Sequence, residues 1–158
     1  MVKAMNAKIT CTSANGVTII RQVNSVRIES SWRSLTDTAE LTLPRNIKFF
    51  DKRKVREVFK RGDRVVIELG YNGFLNKEFE GYITKVSDDF PITIECEDEM
   101  FRLKSESVHI VTKENTSLED FIKDITSAKI KTVADYQLGR LRFANTTTAK
   151  VLEYLQTE

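Results

Sequence analysis

The sequence predicts a mainly β protein: a small antiparallel β-barrel over residues 1–105, followed by an α+β domain over 106–158. Three observations carry this. Up to about Lys104 the apolar residues recur with period two, so that successive side chains fall on opposite faces of an extended chain. Turn dipeptides and short polar runs interrupt that pattern at close intervals. After Arg102 the apolar spacing changes to three and four, the repeat of a helix.

Taken in order, Ala7 to Thr12 and Val17 to Gln22 flank Asn15-Gly16, a dipeptide that tolerates the positive φ angles of a tight turn, so the two segments should pair. Val26 and Ile28 continue the alternation. It resumes after Trp32 as Ala39, Leu41 and Leu43, with Thr38, Glu40 and Thr42 facing out, until Pro44 removes a ladder donor. Val65, Ile67 and Leu69 share one face, and Tyr71-Asn72-Gly73 opens the loop of a second hairpin into Phe79 to Val86. Ser87-Asp88-Asp89 turns the chain into Ile92, Ile94 and Cys96. Six or seven short strands in about one hundred residues favour closure into a barrel, which hides the edges of a lone sheet. Beyond them, Thr116 to Glu119 fits a capping box with a helix starting near Ser117 and burying Leu118, Phe121, Ile122 and Ile125. Leu138 to Ala144 reads as a strand entered through Gly139, and Asn145-Thr146-Thr147 caps a second helix with the apolar face Val151, Leu152 and Leu155. That helix reaches Glu158 with no glycine stop, so the second domain is expected to be cut short and the natural polypeptide to continue.

Composition narrows the function. Lys plus Arg number 25 against 23 acidic residues, too even a balance to imply a nucleic acid or membrane partner from net charge. No window approaches a membrane span, and the N-terminus lacks the apolar run of a signal peptide, which predicts a cytosol-like setting. Cys11 and Cys96 lie in strand-like segments without CxxC spacing and read as buried thiols. His109, the single histidine, sits among Val108, Ile110 and Val111 with no marked catalytic partner. Glu95, Glu97 and Glu99 alternate on one strand face, Asp98 on the other, and the glycine-bearing repeat of a calcium loop is absent, so they read as a solvated strand end. Phosphate-loop, dinucleotide, zinc-protease and nucleophile-elbow motifs are all missing from the sequence. The residues therefore predict no enzyme and call for no cofactor and no metal.

The strongest local bias is the run from Lys48 to Arg64, with eight basic residues, three acidic residues and three phenylalanines. Val55, Val58 and Phe59 share one face of a short helix, with the basic residues splayed over the other. Three readings compete here: a solvated face over an apolar anchor, a partner-docking surface of Lys48, Phe49, Phe50, Lys52, Arg53, Lys54 and Arg56, and a single-strand groove that grips phosphates and stacks bases.

The order of several short motifs then points to a family. Asp37-Thr38-Ala39-Glu40-Leu41-Thr42-Leu43-Pro44-Arg45 is followed by Lys60-Arg61-Gly62-Asp63-Arg64-Val65 and by Leu69-Gly70-Tyr71-Asn72-Gly73. Phe79-Glu80-Gly81-Tyr82-Ile83 and Ile94-Glu95-Cys96-Glu97-Asp98 come next. Together, over about Val26 to Lys104, these resemble the first barrel domain of phage and prophage contractile-tail baseplate hub proteins, including late-control proteins and the hub part of type VI secretion spikes. The resemblance implies a structural role: a homotrimer with two related barrels per subunit, forming a pseudo-sixfold ring that joins a tail tube to a central spike. It implies self, tube and spike as partners, no small-molecule substrate, and a place in the virion tail or baseplate assembled in the bacterial cytoplasm. Since one barrel is present in these residues, trimerisation is expected of the full-length protein. The alternatives are a nucleic-acid-binding small β-barrel using residues 48–64 and, with no residue to support it, a fragment of a cell-wall hydrolase.

Overall fold

The computed structural model describes residues 4–44, 58–87, 89–129, 131, 134 and 136–157. The chain folds as two compact units, Met1–Phe101 and Arg102–Glu158. The first holds seven strands, β1 (Met5–Ser13), β2 (Gly16–Ile20), β3 (Ser25–Glu29), β4 (Thr38–Leu43), β5 (Arg64–Tyr71), β6 (Phe74–Val86) and β7 (Ile92–Glu97). They form one antiparallel sheet in the order β2-β1-β5-β6-β7-β4-β3. The mainly β class expected from the alternation is the class observed.

Register explains why the alternation was so clean. Thr18 lies opposite Cys11, Cys11 opposite Val65, and Val65 opposite Gly81. Ile83 lies opposite Cys96, Cys96 opposite Ala39, and Ala39 opposite Ile28. These positions share the inward face, to which β2 contributes Thr18 and Ile20 while its Val17 and Ile19 stay exposed. Ile9, Leu41, Val65, Ile67, Ile83 and Ile94 are fully buried on the inward face, each contributing about 1.5–3 kcal/mol through burial. Phe59 joins them from outside the strands, with Val58 packed beside it.

A closed barrel is not what forms. Among the described residues no ladder joins the two edge strands, β2 and β3, and the reason is parity. Every ladder in the sheet is antiparallel, so direction alternates across it and the first and last of seven strands run the same way. Closing β2 onto β3 side by side would require a parallel pair, which needs a long crossover connection. The link is only Arg21 to Asn24. It therefore starts β3 near where β2 ends, and the Asn24 N–H is anchored by donating to the Thr42 carbonyl at 2.8 Å. The same short link forces curvature. In a flat sheet the edges would stand about 29 Å apart at the usual strand spacing, whereas the step from Ile20 to Ser25 reaches at most about 18 Å. The sheet curls around its core without hydrogen-bonded closure.

Strand β6 supplies the bend. Its register slips against β5 between Ile67 and Glu68, and against β7 between Ile83 and Lys85, so that Glu78 and Thr84 are extra residues at two bulges. Gly81 lies between them. A Cβ there would stand 2.1 Å from the Glu97 carbonyl oxygen and 2.8 Å from the Phe79 ring, so the backbones of β6 and β7 approach at a point where only glycine fits. The close approach expected at Gly81 is observed.

The hairpins differ from one another. Asn72 and Gly73 both have positive φ, 53° and 87°, the mirror-image turn that matches strand twist. In the first hairpin the turn residues are Ala14 and Asn15, Ser13 lies opposite Gly16, and Gly16 alone has positive φ, so the expected Asn15-Gly16 turn is shifted by one residue.

After a short helix α1 (Met100–Leu103), the second unit pairs β8 (Ser107–Lys113) with β11 (Leu141–Thr147) and β9 (Thr116–Ser117) with β10 (Gln137–Leu138). Helices α2 (Leu118–Ile125) and α3 (Thr148–Thr157) complete it. Ser117 caps α2, its Oγ accepting from the Asp120 N–H at 3.1 Å, while Thr116 pairs with Leu138 in the small sheet. The cap is thus Ser117 and not Thr116. Val108, Phe121 and Val151 form the core, with Leu155 packed against it and Leu152 half-buried at its margin.

Gly81→Ala is expected to destabilise the β unit by about 1–3 kcal/mol, the usual range for forced overpacking. Gly139→Ala, where an added Cβ meets no atom within 4 Å, should change stability by under about 0.5 kcal/mol. Urea unfolding of both variants measures the difference.

Candidate functional site

The residues that could carry chemistry do not converge. His109 is exposed on β8. Among the described residues no group of His, Cys, Asp or Glu is arranged to hold a metal ion. No helix among them is long and apolar enough to cross a membrane. The docking surface read at Lys48, Phe49, Phe50, Lys52, Arg53, Lys54 and Arg56 lies outside the described residues.

The outer face of the β sheet is a set of charge rows. Glu40 and Glu95 face each other directly across β4 and β7, a like-charge pair flanked by Arg27 opposite Glu40 and Lys85 opposite Glu95. Lys85 Nζ reaches Glu95 at 3.1 Å, and Arg27 pairs with Glu29. The sequence of signs across the four strands is plus, minus, minus, plus, so neighbours offset the central repulsion. Glu97 and Glu99 sit near the end of the same strand, but Glu95 is already held by Lys85 and the face is open to water. This is the solvated strand end that the alternation suggested.

Asp98 does structural work on the opposite side. Its two oxygens accept from the Asp37 N–H at 3.1 Å and the Met100 N–H at 3.0 Å, tying the entry of β4 to the start of α1. Burial pushes its carboxyl above the ordinary range in spite of these two donors. A second row places Glu80 between Lys77, at 2.7 Å, and Arg64, and these partners hold its carboxyl below the ordinary range. Arg61 lies over the Phe101 ring, which in turn stacks on Tyr82.

The described surface also presents apolar area. Met5, Tyr71 and Phe74 lie opposite one another across β1, β5 and β6, and are 80%, 51% and 84% exposed. They continue the inward-facing phase of Ala7 and Leu69 past the end of the core. Beside them a groove of about 560 Å³ is lined by Met5, Ala7, Val23, Val26, Leu69 and Tyr71. Trp32 is 85% exposed in the β3–β4 loop, with the Arg33 guanidinium 5.0 Å from its ring. Val17 and Ile19 are exposed on edge strand β2. Sequence reading missed these surfaces, because their residues look like the ordinary apolar members of strands and only the non-local pairing exposes them.

No protein-family model matches the chain, and no curated protein does. Solved structures do match. The chain is similar to the 43 kDa tail protein of prophage MuSo2 from Shewanella oneidensis, with a TM-score of 0.59 and 13% identity over 98% of this chain and 50% of that one. It is similar also to a chain of a PdpA–VgrG complex in its lidless form, with a TM-score of 0.58 and 10% identity over 99% of this chain and 32% of that one. A lidded Francisella PdpA–VgrG complex matches with a TM-score of 0.56 and 11% identity, over 99% of this chain and 26% of that one. The chain thus spans half or less of the length of each. The fold is a tail-hub-related one, as the ordered motifs implied.

The two thiols yield a direct test. Burial pushes both Cys11 and Cys96 up to about 12 from an ordinary 9.0. Below pH 9.0 folded and unfolded chains alike keep these protons. Between 9.0 and about 12 the unfolded chain releases protons that the fold retains, so stability falls as pH rises through that window. At about pH 8 neither thiol should react with a disulfide reagent in the folded chain, and both should react in denaturant. Alkaline unfolding should move to higher pH in Cys11→Ala, provided the small cavity is corrected for by comparison at pH 7.

Proposed function

We propose that this chain is a structural part of a phage or prophage tail baseplate hub. In its full-length form it contributes to a trimeric ring that adapts a tail tube to a central spike, in a virion tail or a related contractile injection particle. The observation that carries the reading is the tail-hub-related fold spanning nearly all of the chain, shared with a prophage tail protein and with chains of PdpA–VgrG complexes. The surface supports it: curled sheet, charge rows that offset one another, and exposed apolar side chains at edges and strand ends suit a protein held by neighbours. On this reading the chain is not an enzyme, and its partners are further copies of itself, the tube and the spike. The basic segment with Lys48, Phe49, Phe50, Lys52, Arg53, Lys54 and Arg56 is the part proposed to meet those partners.

Co-expression of the full-length protein with the tube and spike proteins encoded beside it is expected to yield a complex containing three copies, read by native mass spectrometry. Replacing Lys52, Arg53, Lys54 and Arg56 by Glu should abolish that complex without lowering the melting temperature. A full-length protein that stays monomeric at micromolar concentration and binds neither partner overturns the proposal. Salt-sensitive binding to single-stranded DNA that the same substitutions remove would assign the segment to nucleic acid instead.

A further inference from the structure

Among the described residues the edge strand β2 has no ladder on its outer side. Natural sheets blunt their edges with lysine, proline, bulges or cover, because a free row of N–H and C=O groups recruits another strand. From Ala14 to Ile20 the chain has neither charge nor proline, and among the described residues the only ladder partner of β2 is β1. β3 does not cover it, since the Arg21 to Asn24 link starts β3 near where β2 ends.

The ladder tells which groups are free. The Ala4 carbonyl accepts from the Asn72 N–H at 2.9 Å, so the even-numbered residues on this side of β1 are the ones turned toward β5. The odd ones, Ile9, Cys11 and Ser13, are turned toward β2, where they lie opposite Ile20, Thr18 and Gly16. The backbone groups of Val17 and Ile19 therefore point away from β1, to the open edge. Their side chains are 62% and 52% exposed.

We infer that β2 pairs antiparallel with β2 of a second copy of this chain, about a twofold axis through Thr18. The occupant follows from the register. Centred on Thr18, Val17 lies opposite Ile19 of the other copy, and Ile19 opposite its Val17. These are the two residues whose N–H and C=O groups face outward, so both outward pairs close and four hydrogen bonds form. Each strand brings β-branched side chains against β-branched side chains. Arg21 falls opposite Asn15, so no like charges meet. On the other edge the equivalent register, centred on Arg27 of β3, sets Arg27 against Arg27. The interface is isologous, the same patch serving both sides. It is small, which places the association at the weak end of specific interfaces. A threefold ring has no twofold axis along β2, so this pairing belongs to the chain outside the ring and stands apart from the hub reading.

The test is sedimentation equilibrium of the 158-residue chain, with concentrations up to about 300 µM to reach weak affinities. A monomer–dimer equilibrium is expected, with amide exchange at Val17 and Ile19 slowing as concentration rises. Ile19→Lys adds an edge charge at an exposed position, and Val17→Pro removes an outward N–H without touching the β1 ladder. Both are expected to give monomers with unchanged circular dichroism, while Arg27→Ala on the other edge leaves the dimer intact. A wild-type chain that is monomeric throughout, a dimer that survives Ile19→Lys and Val17→Pro, or a dimer without slowed exchange at Val17 and Ile19 overturns the inference. Should Val17→Pro misfold, Ile19→Lys together with the exchange data decides alone.

Discussion

A four-residue link between strands on opposite edges of one sheet is the constraint on which the β unit depends. Seven antiparallel strands put β2 and β3 in the same direction, and the link from Ile20 to Ser25 is too short for a crossover. The sheet must curl until the end of β2 and the start of β3 stand within about 18 Å of each other, yet among the described residues no ladder joins the two edges. Everything else adapts to that curl. β6 takes two bulges, Gly81 lets β6 and β7 close to a distance that no Cβ permits, and the inward rows from Ile9 to Ile94 fill the concavity. A single added methyl at residue 81 acts on the bend and not only on local packing.

The contrast between what was and was not legible in the sequence follows from range. Alternation is a local signal, and it pointed to each of the seven strands, but the second hairpin, expected to reach Phe79 through a loop, turns at Asn72-Gly73 and begins β6 at Phe74. Helix caps are nearly local, and the cap of α2 was displaced by one residue because Thr116 is claimed by a ladder with Leu138, a partner some twenty positions away. The first turn was misplaced for a similar reason: the register of β1 on β5 fixes which residues remain for the loop, and Ala14-Asn15 are left over. Closure was the largest departure. Whether a set of strands closes depends on the parity of the whole sheet, which no window of the sequence contains. The candidate site was less legible than the fold. The basic run from Lys48 falls outside the described residues up to residue 57, and the exposed Met5, Tyr71 and Phe74 carry the same alternating pattern as the buried residues that precede or follow them.

The charges show how the sheet keeps a wet face. A cluster of carboxylates becomes a metal or proton site when it is held close and dry. Here Glu95 is countered by Lys85, Glu29 by Arg27, and Glu80 by both Lys77 and Arg64, all at the surface where water screens them. Asp98 is the carboxylate drawn inward, and both of its oxygens are engaged by backbone N–H groups. Its shifted titration follows from its burial.

A core that curls but does not close leaves two strand edges, and the two are unequal: β3 presents Arg27 and Glu29, bridged to each other, while β2 presents Val17 and Ile19. Charge is one of the devices that keep a sheet edge from pairing, and the apolar edge lacks it. The failure to close the barrel, imposed by a link of four residues, is therefore what leaves β2, among the described residues, with a row of backbone groups outside any ladder.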